Sequence, residues 1–77
     1  MAIVGHTDAT GPLDANVAVS RRRAEAVAAR LRAAPGVARA QVEAEGMGYL
    51  APLATNLTPE GRDRNRRVEA VVLPPVP

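Results

Sequence analysis

Four residue types are missing from this 77-residue chain: cysteine, lysine, tryptophan and phenylalanine. Without cysteine there can be no disulfide and no thiolate metal site. His6 is the single histidine, so a closed zinc site lacks its ligands. Tyr49 is the single aromatic residue, which leaves nucleic-acid bases no stacking platform. All ten cations are arginine, and eight acids reduce the net charge to +2. A charge that small, without a nucleic-acid motif, argues against nucleic acid as a partner. No run of eighteen apolar residues is present, so no transmembrane segment is expected. The first residues have neither the charged region nor the apolar run of a signal peptide. A role outside the cytoplasm would therefore draw on an export signal outside this chain. No cofactor is implied: a glycine-rich phosphate loop, an acid pair at helical spacing and a nucleophile–base set are all missing.

What is present suits one small domain with a light core of alanine, valine, leucine and isoleucine. At this length only about 60–65% of the unfolded surface is buried. Ala2-Ile3-Val4 reads as the end of a buried strand. Gly11-Pro12 predicts a helix start, with Pro12 at the first helical position. Leu13 to Ala34 is rich in helix formers, and Leu13, Val17, Ala24, Val27 (or Ala28) and Leu31 form an apolar stripe. Pro35-Gly36 ends that helix. From Ala38 to Glu45 the pattern alternates, with Ala38, Ala40, Val42 and Ala44 on one side of a half-buried strand. Gly46-Met47-Gly48 breaks the strand, and Leu50 to Leu57 is a loop. Thr58-Pro59 caps a short helix running to about Asn65, and Arg66 to Leu73 is the last strand. The expected fold class is α+β: a two-layer sandwich with a small mixed sheet and helices on one face. Residues 1–73 make the domain and 74–77 a proline-rich tail.

Three motifs carry candidate chemistry. The first is Gly5-His6-Thr7-Asp8 with Gly11, which puts a carboxylate on a strand-to-helix turn. Asp8 can accept backbone N–H bonds there or receive a ligand ammonium. His6 reads as a packed strand residue, since no nucleophile pattern accompanies it. The second motif is Asn16-x-x-Val19-Ser20-x-x-Arg23-Ala24. Side chains at successive helix positions diverge by about 100°. Of Arg21, Arg22 and Arg23, only Arg23 is therefore expected to share a face with Asn16, Val19 and Ser20. Arg21 can pair with Glu25 at i,i+4. The third motif is Asn56-x-Thr58-x-x-Gly61-Arg62-x-x-Asn65-Arg66-Arg67-Val68. Its simplest reading is a capped helix followed by strand-surface charge. An acid and a guanidinium held close together can grip a molecule bearing both ammonium and carboxylate, which points to recognition rather than catalysis.

In order and spacing, from Val4 to Glu69, these motifs together resemble the OmpA-like C-terminal domain. That module is shared by OmpA-type porins, the peptidoglycan-associated lipoprotein and the flagellar stator protein MotB. The resemblance implies non-catalytic binding of the peptidoglycan stem peptide through its diaminopimelate. It also implies a periplasmic, outer-membrane-associated location and a role in anchoring an envelope protein to the wall. It assigns the ligand ammonium to Asp8 and the carboxylate to Arg23. Asn16 and Arg66 then line the pocket and Thr10 contributes from the loop, with Thr7, Arg62 and Asn65 in support. No metal or cofactor is implied. Val19 stands where leucine is usual in the family. The family domain begins with a further strand and helix that this chain does not contain. An N-terminally truncated βαβαβ domain is therefore expected, with a sheet edge open to self-association. The competing expectations are an interaction fragment that binds no ligand, or a small basic nucleic-acid binder.

Overall fold

The apolar run at the start of the chain becomes the middle of a three-stranded sheet. β1 (Ala2–Gly5) has β2 (Glu43–Gly46) parallel on one side and β3 (Val68–Val71) antiparallel on the other. A parallel neighbour requires a crossover, which α1 (Leu13–Arg32) supplies; α2 (Pro59–Asn65) precedes β3. This computed structural model describes residues 1–38 and 41–72. The architecture is α+β with a small mixed sheet, as the sequence predicts. The proline-rich tail, Leu73 and the strand positions Arg39 and Ala40 lie outside the described residues.

α1 lies on β1 and β2 and barely reaches β3. Ile3, Ala24, Ala28, Val42 and Ala44 form the core, with Leu31 and Val37 packed against it. Ser20, Ala24 and Ala28 are the buried residues of the helix, four apart. The structure therefore selects Ala28 from the two candidates for the stripe, while Val27 stays 37% exposed. The reason is the closeness of the helix to the sheet. Gly5 and Gly46 are register partners on adjacent strands. A methyl at Gly5 would overlap the Ser20 carbonyl, and one at Gly46 would lie 2.6 Å from the Val17 oxygen and the Arg21 nitrogen. Only small helix residues fit against that surface.

The helix starts one residue later than predicted. Pro12 is its N-cap, with extended backbone (φ −72°, ψ 152°), and its carbonyl accepts the first helical bond from the Asn16 N–H at 3.2 Å. It also ends at Arg32 rather than Ala34, and the chain turns through Gly36 at φ +82°. β2 is shorter than the alternating pattern suggests. The Gln41 N–H bonds back to the Ala38 carbonyl at 3.0 Å in a local turn. The ladder starts at Glu43, whose N–H donates to the Met1 carbonyl at 3.0 Å. Val42 and Ala44 are buried as the alternation predicts, and Gly46, expected to break the strand after Glu45, is its last residue. Similarly β3 spans only Val68–Val71, and all four of its residues are exposed because α1 does not cover them. Thr58 caps α2 as expected, its hydroxyl oxygen accepting the Gly61 N–H at 3.1 Å.

His6 follows β1 and donates its backbone N–H to the Arg67 carbonyl at 2.8 Å. Its side chain is buried, with Nε2 3.6 Å from the Glu69 carboxylate, which Arg67 also holds. Nδ1 has no hydrogen-bond partner among the described residues. Burial first, and then the Arg67 charge, push the His6 pKa down, against the opposing pull of Glu69. The folded protein therefore favours neutral imidazole. As pH falls below about 6.5 the unfolded chain takes up this proton first, so stability present above that pH is lost.

Two outcomes are expected. In thermal unfolding followed by circular dichroism, Gly5→Ala abolishes a cooperative transition, because the Ser20 backbone cannot move away. Gly36→Ala has open space around it and costs about 1 kcal/mol through its left-handed backbone alone. Between pH 7 and 5 the melting temperature falls, and His6→Gln flattens that fall.

Candidate functional site

The loop after β1 is tied to its surroundings at nearly every residue. The Thr7 N–H donates to the Gly48 carbonyl at 2.8 Å, and the Thr7 hydroxyl donates to the Asp8 carbonyl at 3.0 Å. The Ala9 N–H donates to Asn56 Oδ1 at 3.2 Å. Asn16 Nδ2 reaches back from the first turn of α1 to the carbonyls of Thr10 (2.8 Å) and Pro12 (2.9 Å). Asp8 is thus buried on a loop whose shape is set from both ends.

A second set of bonds comes from α2. Asn65 is wholly buried. Its Oδ1 accepts the N–H groups of Leu53 and Ala54, both at 2.8 Å. Its Nδ2 donates to the Ala54 carbonyl and to Asn56 Oδ1, both at 2.9 Å. Arg62 Nη1 donates to the Asn56 carbonyl at 3.1 Å. Asn56 is therefore a relay, joining Asn65 on α2 to Ala9 beside Asp8. The four hydrogen bonds of one buried amide organise the backbone of Leu53 and Ala54 and the side chain of Asn56.

At the centre, Asp8 Oδ1 accepts the Thr10 N–H at 3.0 Å, while Oδ2 pairs with Arg66 Nη1. The other arm of Arg66, Nη2, reaches Asp63 at 3.3 Å. Thr10, through its side chain and then its backbone, and next the Arg66 guanidinium, hold the Asp8 carboxyl below the usual carboxylate range, although burial opposes them. Asp8 and then Asp63 raise the Arg66 pKa in return. Arg66 forms one wall of a cavity of about 350 Å³ whose other walls are Arg23, Asp63, Arg67 and Val68. Arg23 makes no hydrogen bond or ion pair among the described residues. The larger depression on the outside of α1, lined by Ala18, Arg21, Arg22, Glu25, Ala26 and Ala29, is a different matter. It is an open helix surface where alanines leave troughs between long side chains, and none of the loop or α2 residues reaches it.

Of the residues singled out by sequence, Asp8 bonds both Thr10 and Arg66, and Arg23 shares the cavity lining with Arg66. Asn16 shapes the loop instead of facing the cavity. Thr7, Arg62 and Asn65 act as struts. Ser20 does not share an open face with Arg23: it is buried, and its hydroxyl donates to the Val17 carbonyl and accepts the Gly48 N–H, both at 2.9 Å. Glu25 pairs with Arg32 at 3.3 Å rather than with Arg21, because Arg32 also anchors on the Val42 carbonyl. The motif reading missed Asp63 and Arg67. Arg67 is more than strand-surface charge, since it reaches Glu69 at 2.5 Å, the Ala51 carbonyl at 3.0 Å and the Asn65 carbonyl at 3.4 Å. The i,i+3 spacing of Asp63 and Arg66 and the shared strand face of Arg67 and Glu69 are the signals that could have found them.

The chain is similar to known proteins in sequence and in fold. The chain is 40% identical over 72 residues to the probable lipoprotein YiaD of Escherichia coli, covering 94% of this chain and 32% of that protein. It is 47% identical over 72 residues to the peptidoglycan-binding protein ArfA of Mycobacterium tuberculosis, covering 94% and 22% respectively. The chain thus spans about a third or less of the length of these relatives. The solved peptidoglycan-associated lipoprotein of Burkholderia pseudomallei superposes with a TM-score of 0.80 at 37% identity, over 88% of this chain and 57% of that one. The OmpA family pattern matches residues 1–66, and this chain belongs to the OmpA family.

Proposed function

We propose that this chain is a non-catalytic peptidoglycan-binding module that holds an envelope protein to the cell wall, in the periplasm and at the outer membrane. It would do so by gripping the diaminopimelate of the stem peptide. The observation that carries the reading is the juxtaposition of Asp8 with Arg66 beside a cavity that Arg23 also lines. Diaminopimelate ends in paired ammonium and carboxylate groups. An ammonium is matched by the carboxylate of Asp8, and a carboxylate is matched by a guanidinium fork. Relatives named for peptidoglycan binding and association support the wall as the partner. The Arg66 side of the grip is open to water, so one stem binds weakly and retention comes from many copies on a polymeric ligand.

In a pull-down with purified sacculi, Asp8→Ala and Arg23→Ala each lower the bound fraction, with affinity for a soluble stem peptide falling roughly tenfold. Retention by both variants at the wild-type level would overturn the assignment. The pH profile gives a second arm. Asp8 must be ionised, and its pKa is depressed, so binding holds from neutral pH down to about 4 and is lost only below it. An acid limb near pH 6 would point to a different group.

A further inference from the structure

The arrangement that supports wall binding also obstructs it. Both Asp8 oxygens are engaged, Oδ1 by Thr10 and Oδ2 by Arg66. The walls of the cavity are Arg23, Asp63, Arg66, Arg67 and Val68, and Asp8 is not among them. Arg66 thus both pairs with the carboxylate and lines the cavity. The wall is rich in cations: three arginines face one acid, Asp63, whose side chain is 82% exposed. A molecule carrying only ammonium groups therefore meets a repulsive entrance and finds its acceptor already paired.

We propose that Arg66 is an internal stand-in for the ligand cation, a gate that an ammonium group can displace only when a carboxylate on the same molecule receives the released guanidinium. This inference rests on the wall-binding reading and adds to it a rule of selection. The side chains are suited to the exchange. Arg66 is 40% exposed at its side chain, and an ion pair open to water on one side is weak enough to be replaced. Its second arm already reaches outward to Asp63, so the guanidinium can swing toward the cavity without losing all its partners. Arg67 cannot take this part, because Glu69, Ala51 and Asn65 hold it. Arg23, with no partner among the described residues, sits ready to share the incoming carboxylate with Arg66. One ion pair inside the protein is exchanged for two between protein and ligand, and no charge is left buried without a partner. An amine alone would strand Arg66, and a carboxylate alone would leave Asp8 closed.

The test is titration of the folded chain, followed by NMR shifts, with three seven- or five-carbon probes: diaminopimelate, the dicarboxylate pimelate and the diamine cadaverine. Wild type is expected to bind diaminopimelate and to reject cadaverine. Arg66→Gln removes the stand-in, so cadaverine binding rises while diaminopimelate binding falls. If the pair is closed about nine-tenths of the time, the gain for cadaverine is about tenfold. Arg66→Lys retains a cation and keeps cadaverine out. Diaminopimelate binding by wild type, with cadaverine no better bound by Arg66→Gln, overturns the gate and leaves the wall-binding reading standing. Absence of diaminopimelate binding by wild type overturns that reading and the gate with it.

Discussion

The contact between α1 and the sheet at Gly5 and Gly46 is what everything else hangs on. Two glycines side by side remove the side-chain layer that normally separates helix from sheet. The Val17–Arg21 turn therefore rests on strand backbone, and Ser20 is close enough for its hydroxyl to take the Gly48 N–H. In a chain almost without aromatics this is also how a light core is made adequate. Alanine and serine fill the interface because the helix comes to them, at a separation that larger side chains would prevent. The same contact fixes where α1 begins, and with it the short loop that carries Asp8.

From that anchor the site is assembled by polar side chains acting on backbone. Asn16 gathers the Thr10 and Pro12 carbonyls, Asn65 gathers the backbone of residues 53 and 54, and Asn56 joins the two halves. These bonds do the positioning that hydrophobic packing does elsewhere in larger domains. Loops at residues 7–12 and 47–58 have few apolar contacts to hold them, as Leu50, Leu53 and Leu57 are all exposed. A buried amide with its donors and acceptors all engaged is a strong constraint, since leaving any of them unpaired carries a desolvation penalty. The Asp8 carboxylate is thus delivered to Arg66 by a frame that is largely independent of the pair itself.

Local signals made much of this visible in the sequence. Proline and glycine marked both ends of α1 to within two residues, and Thr58-Pro59 marked α2, because caps and turns depend on the residues that form them. The alternation at Val42 and Ala44 identified the buried side of β2. The stripe on α1 was ambiguous between Val27 and Ala28, and hydrophobicity would have chosen wrongly. What decided it was the separation of helix and sheet, set by Gly5 and Gly46, which are both distant in sequence from Val27 and Ala28. The extent of β2 is set by its pairing with β1, which no property of β2's own residues reveals. At the site, Asp8 and Arg23 stood out by type and spacing, but the partnership of Asp8 with Arg66 spans fifty-eight residues of chain. Ser20 looked like part of an open polar face because its hydroxyl is polar; tertiary structure gave it a buried partner instead.

The division of labour among the charged residues follows from how many partners each already has. Arg67 has three and behaves as a strut. Arg66 has two, both carboxylates, each met by a charge-assisted hydrogen bond. Arg23 has none among the described residues, and it is the one member of the group whose removal should leave the scaffold untouched. Asp8 lies between these extremes, since its Oδ1 helps to shape the loop while its Oδ2 faces the exchangeable cation. A loss of function on altering Asp8 therefore mixes loop geometry with recognition, whereas the same loss on altering Arg23 reports recognition directly. The order Arg67, Arg66, Asp8, Arg23 is not a ranking of importance. It is a gradient from fold to function, and the gate proposed for Arg66 sits where the two meet.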